Sequence, residues 1–337
     1  MTADSTGPDT RSEITSGRPR RRRLVDYAER YGLVIAWLMV IALFGAILPT
    51  TFLSWANFST IFGSQAVLVV VALGLIIPLT ANDFDVSIAN VLTLSSMIVG
   101  VLNVNFDLPI GLSILAALTA GVLVGLINGF FVTVMRIHSL IVTLGVGTFI
   151  HGLTLWMSDS ATISGISMGL VKYVMIARLF GIPLAFYYAM ILCAVLFYIF
   201  EHTAVGRRVL FVGRNREVAK LSGIRTERVR IGCLVASSFL GALAGVMYAG
   251  TTGAADPVSG LSYLLPGFAA AFLGATSITP GRFNPWGAAV AVYFLVTGIT
   301  GLTMLGFRTF VHELFYGGAL VIAVTLSQLV SGREERF

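Results

Sequence analysis

Ten long apolar stretches, separated by short polar segments, run along most of this chain of 337 residues. A helix needs about 20 mostly apolar residues to cross a membrane. Stretches of about that length lie near residues 31–49, 61–80, 88–105, 109–134, 139–157, 182–200, 231–251, 262–279, 285–305 and 310–330. The pattern predicts an all-α polytopic membrane protein with about ten transmembrane helices.

Basic residues are distributed unevenly between the two sides that ten spans would create. With the N-terminus in the cytoplasm, 19 of the 22 Lys and Arg residues fall on the cytoplasmic side, and only Lys172, Arg178 and Arg308 fall outside. Positive residues concentrate in the cytoplasmic segments of membrane proteins. Both termini are therefore predicted to lie in the cytoplasm.

Composition supports this class and suggests the domain limits. Hydrophobic residues make up 56% of the chain and charged residues 11%, against about 25% charged in soluble domains. The net charge of +6 follows from the basic membrane-flanking segments, so no nucleic-acid partner is expected. We predict a disordered basic cytoplasmic tail at 1–30, a transmembrane domain at 31–330 and a short cytoplasmic tail at 331–337. The first apolar stretch is too long for a signal-peptide core.

The longest cytoplasmic loop, residues 201–230, contains eight basic and three acidic residues. A short helix is predicted within it, because Asn215 is a good N-cap, Glu217 would lie in the first turn, and Gly223 can end a helix in the left-handed conformation. A helix of about seven residues is marginal in isolation, so either the membrane domain or a partner should hold it. The alternative is a solvated loop whose charges only set the topology.

A second polar segment, residues 80–90, interrupts nearly continuous apolar sequence. Ionisable residues such as Asp83 and Asp85 at such positions usually face protein or a water-filled cavity, and broken helices are common in transporters. The segment is predicted to form part of a substrate path or gate. The alternative is an ordinary turn whose carboxylates point at water. The candidate path residues are Asn82, Asp83, Phe84, Asp85, Ser87 and Asn128.

Small residues recur at every fourth position in two of the apolar stretches. They are Gly121, Gly125 and Gly129 in the fourth stretch, and Gly241 and Gly245 in the seventh. Small residues at this spacing let helix backbones approach closely in a membrane. Packing within one subunit is the expected role, and a dimer face or a moving contact is the alternative.

Several kinds of chemistry are absent from the sequence. Lysine occurs only at Lys172 and Lys220, so the chain contains no P-loop for ATP. It has no H-E-x-x-H helix either. The four histidines, His138, His151, His202 and His312, do not have the spacing of a ligand set. We therefore expect no enzyme activity, no cofactor and no metal.

Four phrases occur in an order that is typical of a known family: ALGLIIPLTANDFDVSIAN, GLINGFFVTVMRIHSLIVTLGVGTFIHG, TAVGRRVLFVGRNREVAKLSGI and LPGFAAAFLGATSITPGRFNPWGA. From about residue 57 to residue 329, the chain resembles the membrane-spanning permease subunits of bacterial ABC importers for monosaccharides, the ribose/xylose/galactoside-type family. It departs from the family where Ala81 and Asn82 replace a glycine pair and Phe84 is inserted before Asp85.

The resemblance implies a multi-pass protein of the bacterial plasma (inner) membrane that works within membrane lipid. It also implies three protein partners: a second copy of the chain, a separate ABC ATPase subunit and an extracytoplasmic substrate-binding protein. In such permeases, the phrase matching residues 213–224 looks like the coupling helix that docks on the ATPase. The coupling residues would then be Arg214, Asn215, Glu217, Ala219, Lys220, Leu221 and Gly223.

Three functions remain open from the sequence. A permease that imports a monosaccharide or related polyol is favoured. The same machinery could instead carry nucleosides, branched-chain amino acids or a signalling furanone, since the departures at residues 81–84 affect the segment expected to contact cargo. The third is an ion-coupled secondary transporter that uses Asp83 and Asp85 as its coupling site.

Overall fold

The structure, a computed structural model, describes residues 20–334, with side chains described for residues 30–327. Its helices in the first half of the chain are α1 (Arg20–Ile47), α2 (Pro49–Phe52), α3 (Trp55–Ser64), α4 (Ala66–Thr80), α5 (Ile88–Gly100), α6 (Ile110–Thr133) and α7 (Ser139–Met157). A π-helical turn, Val101–Asn105, extends α5.

The second half contains α8 (Met168–Val171), a π-helical turn at Lys172–Ile176, α9 (Leu184–His202), α10 (Ala204–Arg214), α11 (Arg216–Leu221), α12 (Thr226–Thr252), α13 (Leu261–Gly274), α14 (Pro285–Met304) and α15 (Phe310–Glu334). Four two-residue strands form two antiparallel pairs. Strand β1 (Ile163–Ser164) pairs with β4 (Ala254–Ala255), and β2 (Arg178–Leu179) pairs with β3 (Ile182–Pro183).

The described part of the chain has eight helices that are long and apolar enough to cross a membrane. A ninth candidate is the pair α3 and α4, which is bent by 41° at its break. Helix α13 is apolar but has only 14 residues. All ten apolar stretches found in the sequence fall on these elements, so the prediction of a helical polytopic membrane protein is confirmed, while the count of ten spans stays a prediction.

The helical structure extends further toward both termini than the sequence pattern indicated. Helix α1 begins at Arg20, inside the stretch for which a disordered tail was predicted, because arginine, leucine and alanine in residues 20–30 are good helix formers that continue into the apolar run. Helix α15 likewise continues to Glu334. The remainder of both predicted tails, residues 1–19 and 335–337, lies outside the described residues.

Helices α4 and α12 form the centre of the bundle. All 15 residues of α4 are buried, as expected for a helix that is apolar on every face. Helix α12 packs on α6, where Gly125 lies against the backbone of Val235, and on α5, where Gly245 lies against the carbonyl oxygen of Leu92. The other small residues have similar contacts within the chain: Gly121 lies against Ala242, Gly129 against Ile231 and Gly241 against Ile88.

Helix α13 begins only at Leu261, because residues 256–260 before it are not helical. Ala255 contacts Gly100 at one end of α5, whereas Gly260 lies directly on the carbonyl oxygen of Ala89 near the other end. Eleven helical residues between those contacts span about 16 Å. Residues 256–260 therefore run beside α5 before α13 begins, which is the discontinuous arrangement common in transporters.

Contacts between loops agree with the predicted sides of the membrane. The carbonyl oxygen of Arg30 accepts hydrogen bonds from Ile278 N at 2.8 Å and Ser277 Oγ at 3.0 Å, and both segments were assigned to the cytoplasm. Strands β1 and β4, which pair with each other, were both assigned to the outer side. The contacts are consistent with the alternation of the spans, and the absolute orientation remains a prediction from charge.

Candidate functional site: the junction between the loop at residues 201–230 and the α4–α5 connection

The short helix predicted within residues 201–230 is α11, and its ends have the expected chemistry. Asn215 is the N-cap: its Oδ1 accepts a hydrogen bond from Val218 N at 3.1 Å. Glu217 lies in the first turn. Gly223 has a φ of 81°, and Ile224 N donates to Ala219 O at 3.0 Å, which closes the helix as a Schellman motif. The helix prediction is confirmed, with six residues.

Most side chains of helix α11 are not buried by the rest of this chain. Only Ala219 is buried, whereas Glu217 and Lys220 are exposed. Leu221 is 88% exposed, and Arg214 just before the helix is exposed as well. These side chains are therefore not covered by the rest of the described chain and are accessible to a partner.

The end of α10 lies directly on the end of α4. A Cβ atom at Gly213 would overlap the carbonyl oxygen of Thr80. Only glycine permits this approach, which brings the last turn of α10 against the α4–α5 connection. The two polar segments singled out in the sequence therefore meet in space.

Asp83 joins the two segments through two arginines, and we call Asp83, Arg216 and Arg230 the Asp83 cluster. Arg230 of α12 donates from Nε to Oδ2 and from Nη2 to Oδ1, both at 2.7 Å. Arg216, the first residue of α11, donates from Nη2 to Oδ1 at 3.1 Å. The same Nη2 atom also donates to the carbonyl oxygen of Asn82 at 2.7 Å. Both ends of residues 216–230 are thus bound to one carboxylate.

Because Asp83 is buried, its charge must be compensated by its partners in the cluster. The Asp83 side chain is 2% exposed and that of Arg230 15%, whereas that of Arg216 is 38% exposed. A buried carboxylate is tolerated when it is paired and hydrogen-bonded, and the forked geometry of arginine meets both needs. The alternative of a turn whose carboxylates point at water is wrong for Asp83, because the loop folds over it.

The sequence interpretation did not identify Arg216 and Arg230 as partners of Asp83. Both were counted only as basic residues that set the topology. The available indication was that the predicted topology put all three residues on the same side, where an acidic residue next to apolar sequence needs a cation. Arg216 and Arg230 are 133 and 147 positions from Asp83 along the chain, so no local pattern indicated the pairing.

Asp85, Ser87 and Asn128 form a second buried polar group just beyond the Asp83 cluster. Asp85 Oδ1 accepts hydrogen bonds from Ser87 N at 3.0 Å and from Ser87 Oγ at 2.5 Å. Asn128 Nδ2 of α6 donates to Ser87 Oγ at 2.8 Å. All three side chains are fully buried, so they do not face water either.

Helix α7 fixes the backbone between the two aspartates. Ser139 Oγ accepts from Phe84 N at 3.0 Å, and Thr143 Oγ1 accepts from Val86 N at 3.1 Å. The Phe84 ring lies 6.4 Å from that of Phe268 on α13. The residue before Asp83, Asn82, is exposed and left-handed, with a φ of 58°. The α4–α5 connection thus contacts α7, α11, α12 and α13.

Several buried polar atoms in this region lack a hydrogen-bond partner: Asp85 Oδ2, Asn128 Oδ1, Ser237 Oγ and Ser238 Oγ. Burial raises the pKa of the Asp85 carboxyl, and the hydrogen bonds that its Oδ1 accepts from Ser87 oppose that shift. Unsatisfied polar atoms in an apolar bundle cost free energy. Their retention favours a functional role for this group.

Comparison with known proteins gives a consistent result. The family model described as "Branched-chain amino acid transport system / permease component" matches residues 57–324. The D-allose transport system permease protein of Escherichia coli K12 is 29% identical over 95% of this chain and 98% of its own length. The ribose import permease protein of Bacillus subtilis 168 is 30% identical over 86% of this chain and 90% of its own.

A third relative is named for a different cargo. The autoinducer 2 import system permease protein of Salmonella typhimurium is 28% identical over 86% of this chain and 83% of its own length. Among solved structures, none matches the chain. The family match over most of the chain and the eight apolar helices establish that this chain belongs to that family of transport permease components, multi-pass proteins of the bacterial inner membrane that are not themselves enzymes.

Proposed function

We propose that this chain is the membrane-spanning subunit of an ATP-binding-cassette importer for a monosaccharide or related polyol. Two copies would form the pathway, a separate ATPase subunit would drive it, and an extracytoplasmic binding protein would deliver the cargo. The relatives named for D-allose and ribose transport support the cargo class. The single observation that carries the mechanism is the Asp83 cluster, which ties α11 to the connection that enters α5.

The proposed path of force starts at the exposed face of α11. An ATPase that docks on Leu221, Glu217 and Lys220 would push a helix whose first residue, Arg216, is bound to Asp83. Because residues 84–86 are in turn fixed by Ser139 and Thr143, the movement would reach α5 and α7 together. Rigid elements that move between two packings are a common basis of such transitions.

The proposed gate is the buried group of Asp85, Ser87 and Asn128 at the start of α5. Its carboxylate, hydroxyl and amide groups suit a ligand rich in hydroxyls. Since all three are closed off in this conformation, cargo would contact them only after α5 moves. We propose the polar residues of the gate as the place where cargo specificity is set.

Two alternatives are weighed against specific observations. The relative named for autoinducer 2 import supports a furanone-like cargo on the same machinery. Asp83 is disfavoured as an ion-coupling site, because both of its oxygens already accept hydrogen bonds from arginine. Asp85, whose Oδ2 has no partner, would have to act as the coupling carboxylate of an ion-coupled transporter.

The test is uptake into proteoliposomes that contain this chain with its ATPase and its binding protein. Radiolabelled D-allose, D-ribose and autoinducer 2 are supplied separately, with ATP enclosed on the ATPase side. We expect uptake of one of the two sugars only when ATP and the binding protein are both present, and none with a non-hydrolysable analogue.

Two other outcomes of the uptake experiment would change the assignment. Uptake of autoinducer 2 alone would keep the machinery and change the cargo. Uptake driven by a sodium or proton gradient without nucleotide would overturn the proposal and establish the ion-coupled alternative.

A further inference from the structure

A cleft of about 390 Å³ opens where the ends of α4, α9 and α12 meet α10. The residues that line its interior are apolar: Ile77 of α4, Leu196 and Phe200 of α9, Val209 of α10, and Cys233 and Ala236 of α12. These helix ends adjoin residues 201–230, on the side predicted to face the cytoplasm. The cleft is thus an apolar opening at the inner leaflet.

Two arginines, Arg208 and Arg228, also line the cleft, and both are exposed. Among the side chains that the structure describes, neither has an acidic residue within ion-pair distance. Arg216 and Arg230 nearby are both bound to Asp83. Two uncompensated guanidinium groups at the mouth of an apolar cleft favour an occupant with an anionic end and an apolar body.

The depth of the cleft distinguishes a lipid from a soluble partner. Its lining on α12 runs from Arg228 to Ala236, which is about 12 Å along a helix. The deeper residues belong to the stretch of α12 that is apolar enough to cross a membrane. A water-soluble subunit could reach the arginines, but it would not fill an apolar space at the depth of the lipid tails.

We propose that this cleft binds one anionic phospholipid of the inner leaflet, with an acyl chain against Leu196 and Ala236 and the phosphate between Arg208 and Arg228. Arginine pairs with phosphate through two parallel hydrogen bonds. Basic pockets between helices on the cytoplasmic side suit anionic headgroups. Helix α10 fits this position, because it buries Val209 and Val212 and exposes Arg207 and Arg208, as interfacial helices do.

Gly232 keeps the apolar part of the cleft open. It lies between Arg228 and Ala236 on the same face of α12 and lines the cleft, yet a Cβ atom there would contact nothing within 4 Å. A larger side chain at this position would therefore enter the cleft without striking the backbone. This gives a way to block the site while both arginines remain.

The test uses the purified full chain in detergent after removal of bound lipid. Dioleoylphosphatidylglycerol and, separately, dioleoylphosphatidylcholine are titrated, and bound lipid is counted by native mass spectrometry. We expect one tightly bound phosphatidylglycerol, and a roughly 30-fold loss of affinity in the Arg208→Gln/Arg228→Gln variant. Arg207→Gln removes an exposed charge that does not line the cleft, so its affinity should equal that of the wild type.

Gly232→Phe should abolish phosphatidylglycerol binding although both arginines are present. If that variant does not fold, Ala236→Leu fills the cleft from the next turn of α12. Equal binding of phosphatidylcholine, or unchanged binding by the double arginine variant, would overturn the proposal. So would disulfide cross-linking between two copies of a Gly232→Cys variant that lacks Cys193 and Cys233, since a second copy would then occupy the cleft.

Discussion

Arg230 Nε donates a hydrogen bond to Asp83 Oδ2 at 2.7 Å across 147 positions of the chain. The second bond of the fork, from Nη2 to Oδ1, has the same length. This pair lies at the base of the loop at residues 201–230, with Asp83 almost completely buried. Breaking the pair would leave a buried charge without its partner, so the pair fixes the position of the loop on the bundle.

The first prediction concerns the stability of this pair. Removing one partner leaves a buried charge uncompensated, so we expect Arg230→Gln or Asp83→Asn to lower the free energy of unfolding by about 3–5 kcal/mol. The double variant should lose much less than the sum of the two losses. Denaturant unfolding in detergent micelles measures all three values. Arg225→Gln, an exposed arginine of the same loop, should change stability by less than about 0.5 kcal/mol; strictly additive losses would contradict the pairing.

The second prediction concerns the contact between α10 and α4. Gly213→Ala places a methyl group on the carbonyl oxygen of Thr80, so the helices must separate, at a cost of about 1–3 kcal/mol or more. Gly145→Ala is the matched control, because it lies within α7 and a Cβ atom there has open space. That substitution should be neutral or stabilise by up to about 1 kcal/mol. Thermal unfolding compares the two, and equal midpoints would refute the close approach.

The third prediction separates docking of the ATPase from folding. Leu221→Ala removes a side chain that contacts almost nothing in this chain, so stability should stay within about 0.5 kcal/mol of the wild type. If the ATPase seats on α11, its affinity for the permease should fall about tenfold or more. Co-purification and surface plasmon resonance with the ATPase measure this. An unchanged affinity would remove α11 from the docking surface.

The fourth prediction tests the charges of α11. The variant Glu217→Lys/Lys220→Glu keeps the net charge of the helix and reverses its order, and both positions are exposed. We expect ATPase activity to become independent of cargo and uptake to be lost, since charge complementarity sets the docking register. Glu201→Lys/Lys172→Glu, at two exposed positions outside α11, should preserve both. Full coupling in the first variant would show that these charges do not contact the ATPase.

The fifth prediction is a pH dependence at Asp85. Its pKa is raised above the ordinary value of 3.8 because of burial. The stability that the neutral carboxyl provides is therefore fully present below pH 3.8 and is lost as the pH rises through the folded-state pKa. Asp85→Asn should remove this dependence, so its melting temperature relative to the wild type should increase with pH. Asp107→Asn, at an exposed carboxyl, should leave the profile unchanged.

The parts of this fold that depend only on neighbouring residues could be predicted from the sequence. Apolar stretches of about 20 residues define their own helices because backbone groups in lipid must be satisfied internally. Helix α11 was predictable as well, since Asn215 and Gly223 act on neighbouring backbone groups only. Each of these features depends on residues no more than a few positions apart.

The parts that depend on distant contacts could not be predicted. Residues 61–80 were predicted as one span, yet the helix breaks at Gln65, where Ser64 and Gln65 interrupt the apolar residues. Nothing local indicates that residues 256–260 lie against α5 and shorten α13, since Gly260 makes that contact with Ala89 and Thr93. The replacements at residues 81–84 were interpreted as affecting cargo, whereas Asp83 within them binds Arg216 and Arg230 of the loop at residues 201–230.

The shared carboxylate of Asp83 also has a consequence for how fast and how tightly a partner can bind. Arg216 and Arg230 close residues 216–230 into a ring whose ends are fixed before any partner arrives. Helix α11 is therefore preorganised, so association does not require ordering of the loop and retains more of its contact free energy. Because the same bonds join the helix to the α4–α5 connection, we expect the two segments to move together when a partner pushes on the helix.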